Sequence, residues 1–412
     1  MRNFIQQMRD AGQVIEIEEP CSTEFEAAKI AHSTDRMVFF HDLDGSRAVM
    51  NVTATRSVLA RALEMEESGL TRSLAETDCC GRIDVQGGLE MSRVSLSTLP
   101  IMKFFPADAG RYITAGIVFS SYGGISNASI HRMLVLDDTR LAARLVEGRH
   151  TDTLLAQAIS EGERLPVAIT IGTHPIVTFA SCTRVPPGME LAYAATLAGG
   201  SLAVHECRNG VLVPDAEIVL EGYIGTKKAL EGPFVDITGT YDPSRMQPVI
   251  ELSGMHIKED PIYHGILPGG NEHKILMGVP YEPAIYRAVS GVTGVRNVLL
   301  TTGGCGYLHC VIQIKKRTQG DAKNAIMAAF SAHTSLKHVV VIDEDINIFD
   351  PQDVEYAIAT RVRGDADIMI ITGARGSSLD PCRLPDGTNV KVGIDATMVM
   401  GEEEKFVRAG WD

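Results

Sequence analysis

At 412 residues, 45% hydrophobic and 22% charged, the chain carries enough apolar material for a sizeable core and for two or three domains. Its formal net charge of -14 gives no general electrostatic footing on a nucleic acid or an anionic membrane, and the densest basic run is Lys315-Lys316-Arg317. The eight cysteines form no CxxC pair, no secretory signal follows Met1, and no stretch reaches the roughly 18 apolar residues of a membrane span, so a soluble, cytoplasmic protein with reduced thiols serving mostly as core is expected.

Amphipathic helical patterns at 4–11 and 23–32 and the strand-like run Arg36-Met37-Val38-Phe39-Phe40 mark an N-terminal α/β domain over residues 1–105. Over 106–290, β-branched runs such as Val167-Ala168-Ile169-Thr170-Ile171 and Glu217-Ile218-Val219-Leu220 alternate with turns at Pro186-Pro187-Gly188 and Pro268-Gly269-Gly270. A β-rich middle domain follows, with helices expected at 138–146 and 190–197. Residues 291–412 return to α/β: a half-buried strand over 307–314, a helix over 322–335, the apolar strand Val339-Val340-Val341-Ile342, and a helix opened by an Asp350 N-cap with Pro351 at its first position. The fold class is mixed α/β.

Familiar catalytic motifs are missing. No GxxxxGK[ST] loop, no GxGxxG opening a βαβ unit, no HExxH and no GxSxG occurs. Gly303-Gly304-Cys305-Gly306 and Gly373-Ala374-Arg375-Gly376 read as turns, and His174 before Pro175 and His205 in an apolar strand read as structural residues.

Four segments of the middle domain place polar residues where a plain β-fold does not ask for them: Ile125-Ser126-Asn127-Ala128-Ser129-Ile130-His131-Arg132-Met133, Glu147-Gly148-Arg149-His150, Pro186-Pro187-Gly188-Met189-Glu190-Leu191 and Glu231-Gly232-Pro233-Phe234-Val235-Asp236. Singly, each reads as a strand edge or a loop. Together, with the run Val213-Pro214-Asp215-Ala216-Glu217-Ile218-Val219-Leu220-Glu221-Gly222-Tyr223-Ile224 and with Pro261-Ile262-Tyr263-His264, Val341-Ile342-Asp343-Glu344-Asp345-Ile346-Asn347 and Gly393-Ile394-Asp395-Ala396-Thr397, the chain resembles the UbiD-like family of prenylated-flavin decarboxylases.

That resemblance implies a central split β-barrel holding prenylated FMN and a C-terminal α/β domain that mediates assembly into a homodimer or higher homo-oligomer. It implies that Asn127, His150 and Glu190 bind Mn²⁺, a cation suited to a mixed amide, imidazole and carboxylate set. It further implies that Ser129, Ile130, Arg132 and Arg149 line the flavin, that K⁺ lies near carbonyls of residues 181–183, and that a flavin prenyltransferase supplies the cofactor. Arg132, Glu231 and Asp236 are the implied catalytic groups: an ion pair that aims the arginine at a substrate carboxylate, and a general acid whose pKa is raised by burial and by Glu231. Lys315, Lys316 and Lys391 compete as flavin-phosphate anchors, and His131 faces either side of its strand. The chain is similar to the short archaeal-type members, which implies trans-anhydromevalonate 5-phosphate as substrate and isopentenyl phosphate as product. An aromatic or heteroaromatic acid is the alternative substrate, and a non-catalytic flavin-binding protein is the alternative class.

Overall fold

The computed structural model describes residues 1–409. These gather into two compact units, Met1–Met65 with Thr77–Leu276, and Glu66–Glu76 with the chain from Met277 onward.

In the first unit the helix Arg2–Asp10 buries Phe4, Ile5 and Met8 against Met37, Phe39 and Val49 of a four-stranded sheet, ordered Val14–Ile17, Met37–Leu43, Ser46–Met50, Ile262–His264. A second helix, Glu26–His32, buries Ala27, Ala28 and Ala31. Both helices lie where the amphipathic patterns put them.

The centre of this unit is a curled, eight-stranded antiparallel sheet. Its strands, in chain order, are β1 (Tyr112–Ile113), β2 (Ile117–Tyr122), β3 (Ile125–Ile130), β4 (Met133–Asp137), β5 (Arg140–Ala143), β6 (Leu165–Ile171) and β7 (Ile218–Glu231), followed by the two-residue pair β8 (Phe234–Val235) and β9 (Tyr241–Asp242), and by β10 (Arg245–Ile257). The spatial order is β1-β4-β5-β10-β7-β6-β2-β3, with β8 and β9 forming their own hairpin. Inward residues such as Val118, Met133, Leu141, Val167, Ile169, Leu220 and Ile250 make one core.

The helix expected at 138–146 does not form. Asp137 Oδ1 accepts from the Thr139 backbone N–H at 3.0 Å and from its hydroxyl at 3.2 Å, closing a turn that sends the chain back as β5. β5 then pairs with β4 on one side and β10 on the other, and Leu141, Ala142 and Ala143 are all fully buried. A short apolar run buried on both faces of a sheet carries no alternation, so its pattern cannot be told from one turn of helix. Pairing decides it.

The second unit is a five-stranded sheet ordered Gly294–Leu300, His309–Lys315, His338–Ile342, Thr388–Ala396, Ile368–Arg375, with helices Glu282–Ser290, Asp321–Ala332 and Pro351–Arg361. Asp350 caps the last of these, accepting from Gln352 N at 2.9 Å. The 303–306 glycines turn between two strands as expected; Gly373 instead sits within a strand, at φ +66° beside a register irregularity. The cysteine expectation also needs correction, since only Cys21, Cys207 and Cys310 are buried and Cys80 and Cys382 are exposed. Among the described residues no helix is long and apolar enough to cross a membrane.

Candidate active site

Glu231 ends β7, paired in register with Arg245 at the start of β10, and is completely buried. A carboxylate there needs partners to offset its lost hydration. Arg132, in the link from β3 to β4, supplies two parallel bonds: Nε to Oε1 at 3.0 Å and Nη2 to Oε2 at 3.2 Å. Tyr112 of β1 adds a third, its hydroxyl donating to Oε1 at 3.2 Å while accepting from Gly232 N at 3.1 Å. Burial opposes the charge on Arg132, whose side chain is 11% exposed, but Glu231, Asp242 and Asp236 outweigh it and hold the guanidinium above its ordinary range. Burial, reinforced by Glu231, also pushes the Tyr112 phenol up, which keeps it protonated as a donor. The Phe234 ring lies 5.2 Å from the guanidinium carbon and closes one side of the group.

The β8–β9 hairpin carries two further carboxylates. Asp236 follows β8, and its backbone shapes the turn by pairing with Thr240 O at 3.0 Å and with Gly239 N at 2.8 Å. Its Oδ1 accepts from Ile237 N at 2.7 Å, which leaves Oδ2 facing Arg132 Nη1 at 3.4 Å. The side chain is 20% exposed, open to small molecules in a way that Glu231 is not. Asp242, opposite Phe234 in the hairpin register, takes Arg132 Nη2 at 2.7 Å, the shortest of the guanidinium's contacts.

His273 also belongs to this group. It lies on the helix Asn271–Gly278, whose Glu272 is anchored in the interior by Thr53 N at 3.0 Å and His264 Nε2 at 3.3 Å. His273 Nδ1 accepts from Gly269 N at 3.1 Å, so the ring's proton sits on Nε2. Burial holds this imidazole below its usual range against the pull of Asp236.

Asn127, His150 and Glu190 come from three elements: β3, the first residue of the helix His150–Ser160 and the first residue of the helix Glu190–Leu197. His150 Nδ1 lies 3.5 Å from Glu190 Oε1. Asn127 is tied to both neighbourhoods, through its bond to Thr151 and through Ser126, whose hydroxyl meets Gly188 O at 3.5 Å. The Asn127 amide nitrogen donates to Ser129 Oγ at 3.1 Å and to Thr151 Oγ1 at 2.9 Å, which turns its oxygen the other way. Burial pushes the Glu190 carboxyl up to about 7, the mark of an anion lacking a compensating cation. An amide oxygen, an imidazole nitrogen and an undercompensated carboxylate fit a divalent cation, and among the described residues no rival cluster of three His, Cys, Asp or Glu occurs.

His131 falls on the Asn127 side. Its Nδ1 donates to Arg144 O at 3.0 Å and its Nε2 accepts from Ser129 Oγ at 2.8 Å, so Asn127, Ser129 and His131 share one strand face while Arg132 takes the other. Burial takes its imidazole down to about 4. Ile130 is half-buried at the end of β3, and Arg149 is exposed at the N-cap of the 150–160 helix. Of the basic residues weighed as phosphate anchors, Lys391 is buried against Thr334 O and Leu336 O, and Lys316 is engaged with Met398 O. Asp242, Tyr112 and His273 are the members that sequence reasoning missed. The run Thr240-Tyr241-Asp242-Pro243-Ser244-Arg245 reads as a turn, and only its length-matched hairpin partner, Phe234-Val235, hints that Asp242 returns to the ion pair.

Comparison with known proteins gives three consecutive family matches. Residues 5–77 match the N-terminal domain, 82–271 the Rift-related domain and 274–396 the C-terminal domain of 3-octaprenyl-4-hydroxybenzoate carboxy-lyase. An anhydromevalonate phosphate decarboxylase of Methanosarcina mazei is 55% identical, over 99% of this chain and 98% of its own length. The UbiD-class enzyme HmfF of Pelotomaculum thermopropionicum, solved in complex with FMN, superposes with a TM-score of 0.95 at 33% identity, covering 100% of this chain and 97% of that one. An evolved dimeric form of HmfF in complex with prFMN superposes at 0.91, with 32% identity over 100% and 96%. The chain belongs to the UbiD family of carboxy-lyases, close to its archaeal members.

Proposed function

We propose that this protein removes CO₂ from trans-anhydromevalonate 5-phosphate, yielding isopentenyl phosphate, with prenylated FMN held beside Arg132 and Mn²⁺ held by Asn127, His150 and Glu190. The observation that carries the reading is the buried Arg132–Glu231 pair with the more exposed Asp236 carboxylate 3.4 Å from Arg132 Nη1. The M. mazei relative named for that substrate matches along nearly its whole length.

Loss of CO₂ from an sp² carbon leaves an electron pair that no side chain can delocalise, and prenylated FMN, when bound, supplies that sink. The chain's own residues do the rest. Tyr112 steadies Glu231, Glu231 fixes the guanidinium of Arg132, and the Nη1 edge of that arginine receives the substrate carboxylate. Asp236, at the open end of the hairpin, delivers a proton to the carbon that CO₂ vacates. Ser129, Ile130 and Arg149 line the cofactor. K⁺ near residues 181–183, a homo-oligomer, a flavin prenyltransferase as cofactor source, a cytoplasmic setting and the three-domain division at 105 and 290 complete the proposal.

Incubation of flavin-loaded enzyme with trans-anhydromevalonate 5-phosphate is expected to release CO₂ and isopentenyl phosphate in equal amounts. An enzyme that leaves this acid intact but turns over an aromatic acid would overturn the substrate assignment. For the metal, Asn127→Ala is expected to weaken Mn²⁺ binding by about 100-fold or more, since altering even the groups behind a ligand costs about 10- to 100-fold. Electron paramagnetic resonance titration reads this directly, and wild-type manganese affinity in the variant would remove Asn127 from the ligand set.

A further inference from the structure

Asp242 makes the shortest bond to Arg132, yet it lies outside the pair and general acid of the proposed mechanism. Its side chain is 15% exposed, and its two oxygens are divided: Oδ2 takes Arg132 Nη2, while Oδ1 takes Arg245, with Arg144 Nε 3.8 Å from Oδ2. The guanidinium of Arg132 has five N–H groups. Nε–H goes to Glu231, and the two hydrogens of Nη2 go to Glu231 and Asp242. Only Nη1 remains, touching Asp236 at the longer distance of 3.4 Å.

We infer that Asp242 is a positioning residue that holds Arg132 at Nη2 while Asp236 meets Nη1, so that Nη1 alone is presented to the substrate carboxylate. Without Asp242 the guanidinium is held along its Glu231 edge, with only the longer Asp236 contact at Nη1 beyond it, and can hinge about that edge. With it, Nη2 is fixed from two directions and the plane of the group is set. Arg245 and Arg144 serve this arrangement by balancing charge: with Asp236 carrying the proton it donates, Glu231 and Asp242 would still outweigh Arg132, and the two further arginines turn the balance positive toward an anionic substrate. The β8–β9 hairpin therefore places one carboxylate at each terminal nitrogen of Arg132, Asp236 for the proton and Asp242 for the aim.

The inference rests on the proposed role of Arg132 toward an acid, so its test uses two readouts. The first is the crystal structure of the flavin-loaded enzyme as wild type, Asp242→Ala and Asp242→Asn. In the alanine variant Arg132 is expected to keep its edge on Glu231 and tilt about it, moving Nη1 by about 1 Å. In the asparagine variant it is expected to stay, because the amide oxygen can keep Nη2 while Arg245, a third exposed, turns its own end into solvent. The second readout is decarboxylation of trans-anhydromevalonate 5-phosphate. Asp242→Ala is expected to lose about 100-fold in kcat/KM, the cost of roughly 1 Å of misplacement, mainly through KM, and Asp242→Asn to recover most of it. Flavin absorbance and manganese content should match wild type in both variants. An Arg132 whose Nη1 keeps its wild-type position in Asp242→Ala overturns the inference, as does an asparagine variant in which Nη1 is displaced as far as in the alanine one. A wild type inactive on this acid, combined with a displaced Arg132 in Asp242→Ala, would support the positioning role and overturn the substrate reading instead.

Discussion

Replacing Glu231 with alanine is expected to abolish measurable decarboxylation and to lower the unfolding free energy by about 3 kcal/mol, the lower end of the cost of breaking a buried ion pair. Glu231 is fully buried and accepts from three donors, two on Arg132 and one on Tyr112. Its removal leaves Arg132 Nε–H and the Tyr112 hydroxyl without their acceptor in a site closed by the Phe234 ring. Asp242 still holds Nη2, which is why the loss should fall at the lower end of the range and the protein should remain folded. Urea denaturation of wild type and variant, with turnover measured on the same preparations, checks both halves. A variant of unchanged stability would mean that the pair is relaxed in solution.

Asp236→Asn separates chemistry from architecture. Asp236 is 20% exposed, its Oδ1 bond to Ile237 N survives the change to an amide, and the opposing bond to Arg132 Nη1 is long. Stability and flavin content should therefore match wild type. Turnover should fall by about 10²- to 10⁴-fold, the usual contribution of a positioned general acid. Rapid-quench measurement of product in a single turnover is the appropriate assay, since it excludes slow product release. An unchanged rate would remove Asp236 from proton delivery and make His273, which carries its proton on Nε2 in the same cluster, the next donor to test.

The order of α/β, β and α/β text was legible because β-branched runs such as 167–171 and 339–342 and the caps at Asp350 and Pro351 are local signals. The strand at Arg140–Ala143 was not, because its apolar residues are read by two neighbouring strands and not by their own spacing. The site divides the same way. Arg132 and Glu231 lie 99 positions apart, and no local rule joins them; their pairing was reachable only through resemblance to a family. Asp242 and His273 were out of reach for a related reason. Each sits in a short polar run that reads as a turn or a helix start, and each acquires its neighbours from the hairpin and from the anchoring of Glu272. Asn127 was legible as a residue type, but the hydroxyl and imidazole chain that orients it required coordinates.

The alternation along β3 has a consequence for how this stretch tolerates change. Asn127 and Arg132 are separated by an odd number of steps, so one extended segment serves two opposite sides of the sheet, with Ser129 and His131 aligned with the first. Inserting or deleting one residue between 127 and 132 would make the separation even and put both side chains on one side, so that either the arginine turns toward the helix at 150–160 or the amide turns toward Glu231. Two residues would restore the sides but shift the reach by one full pleat, about 7 Å. This segment therefore acts as a gauge of fixed length, and its count of residues carries as much of the site as their identities.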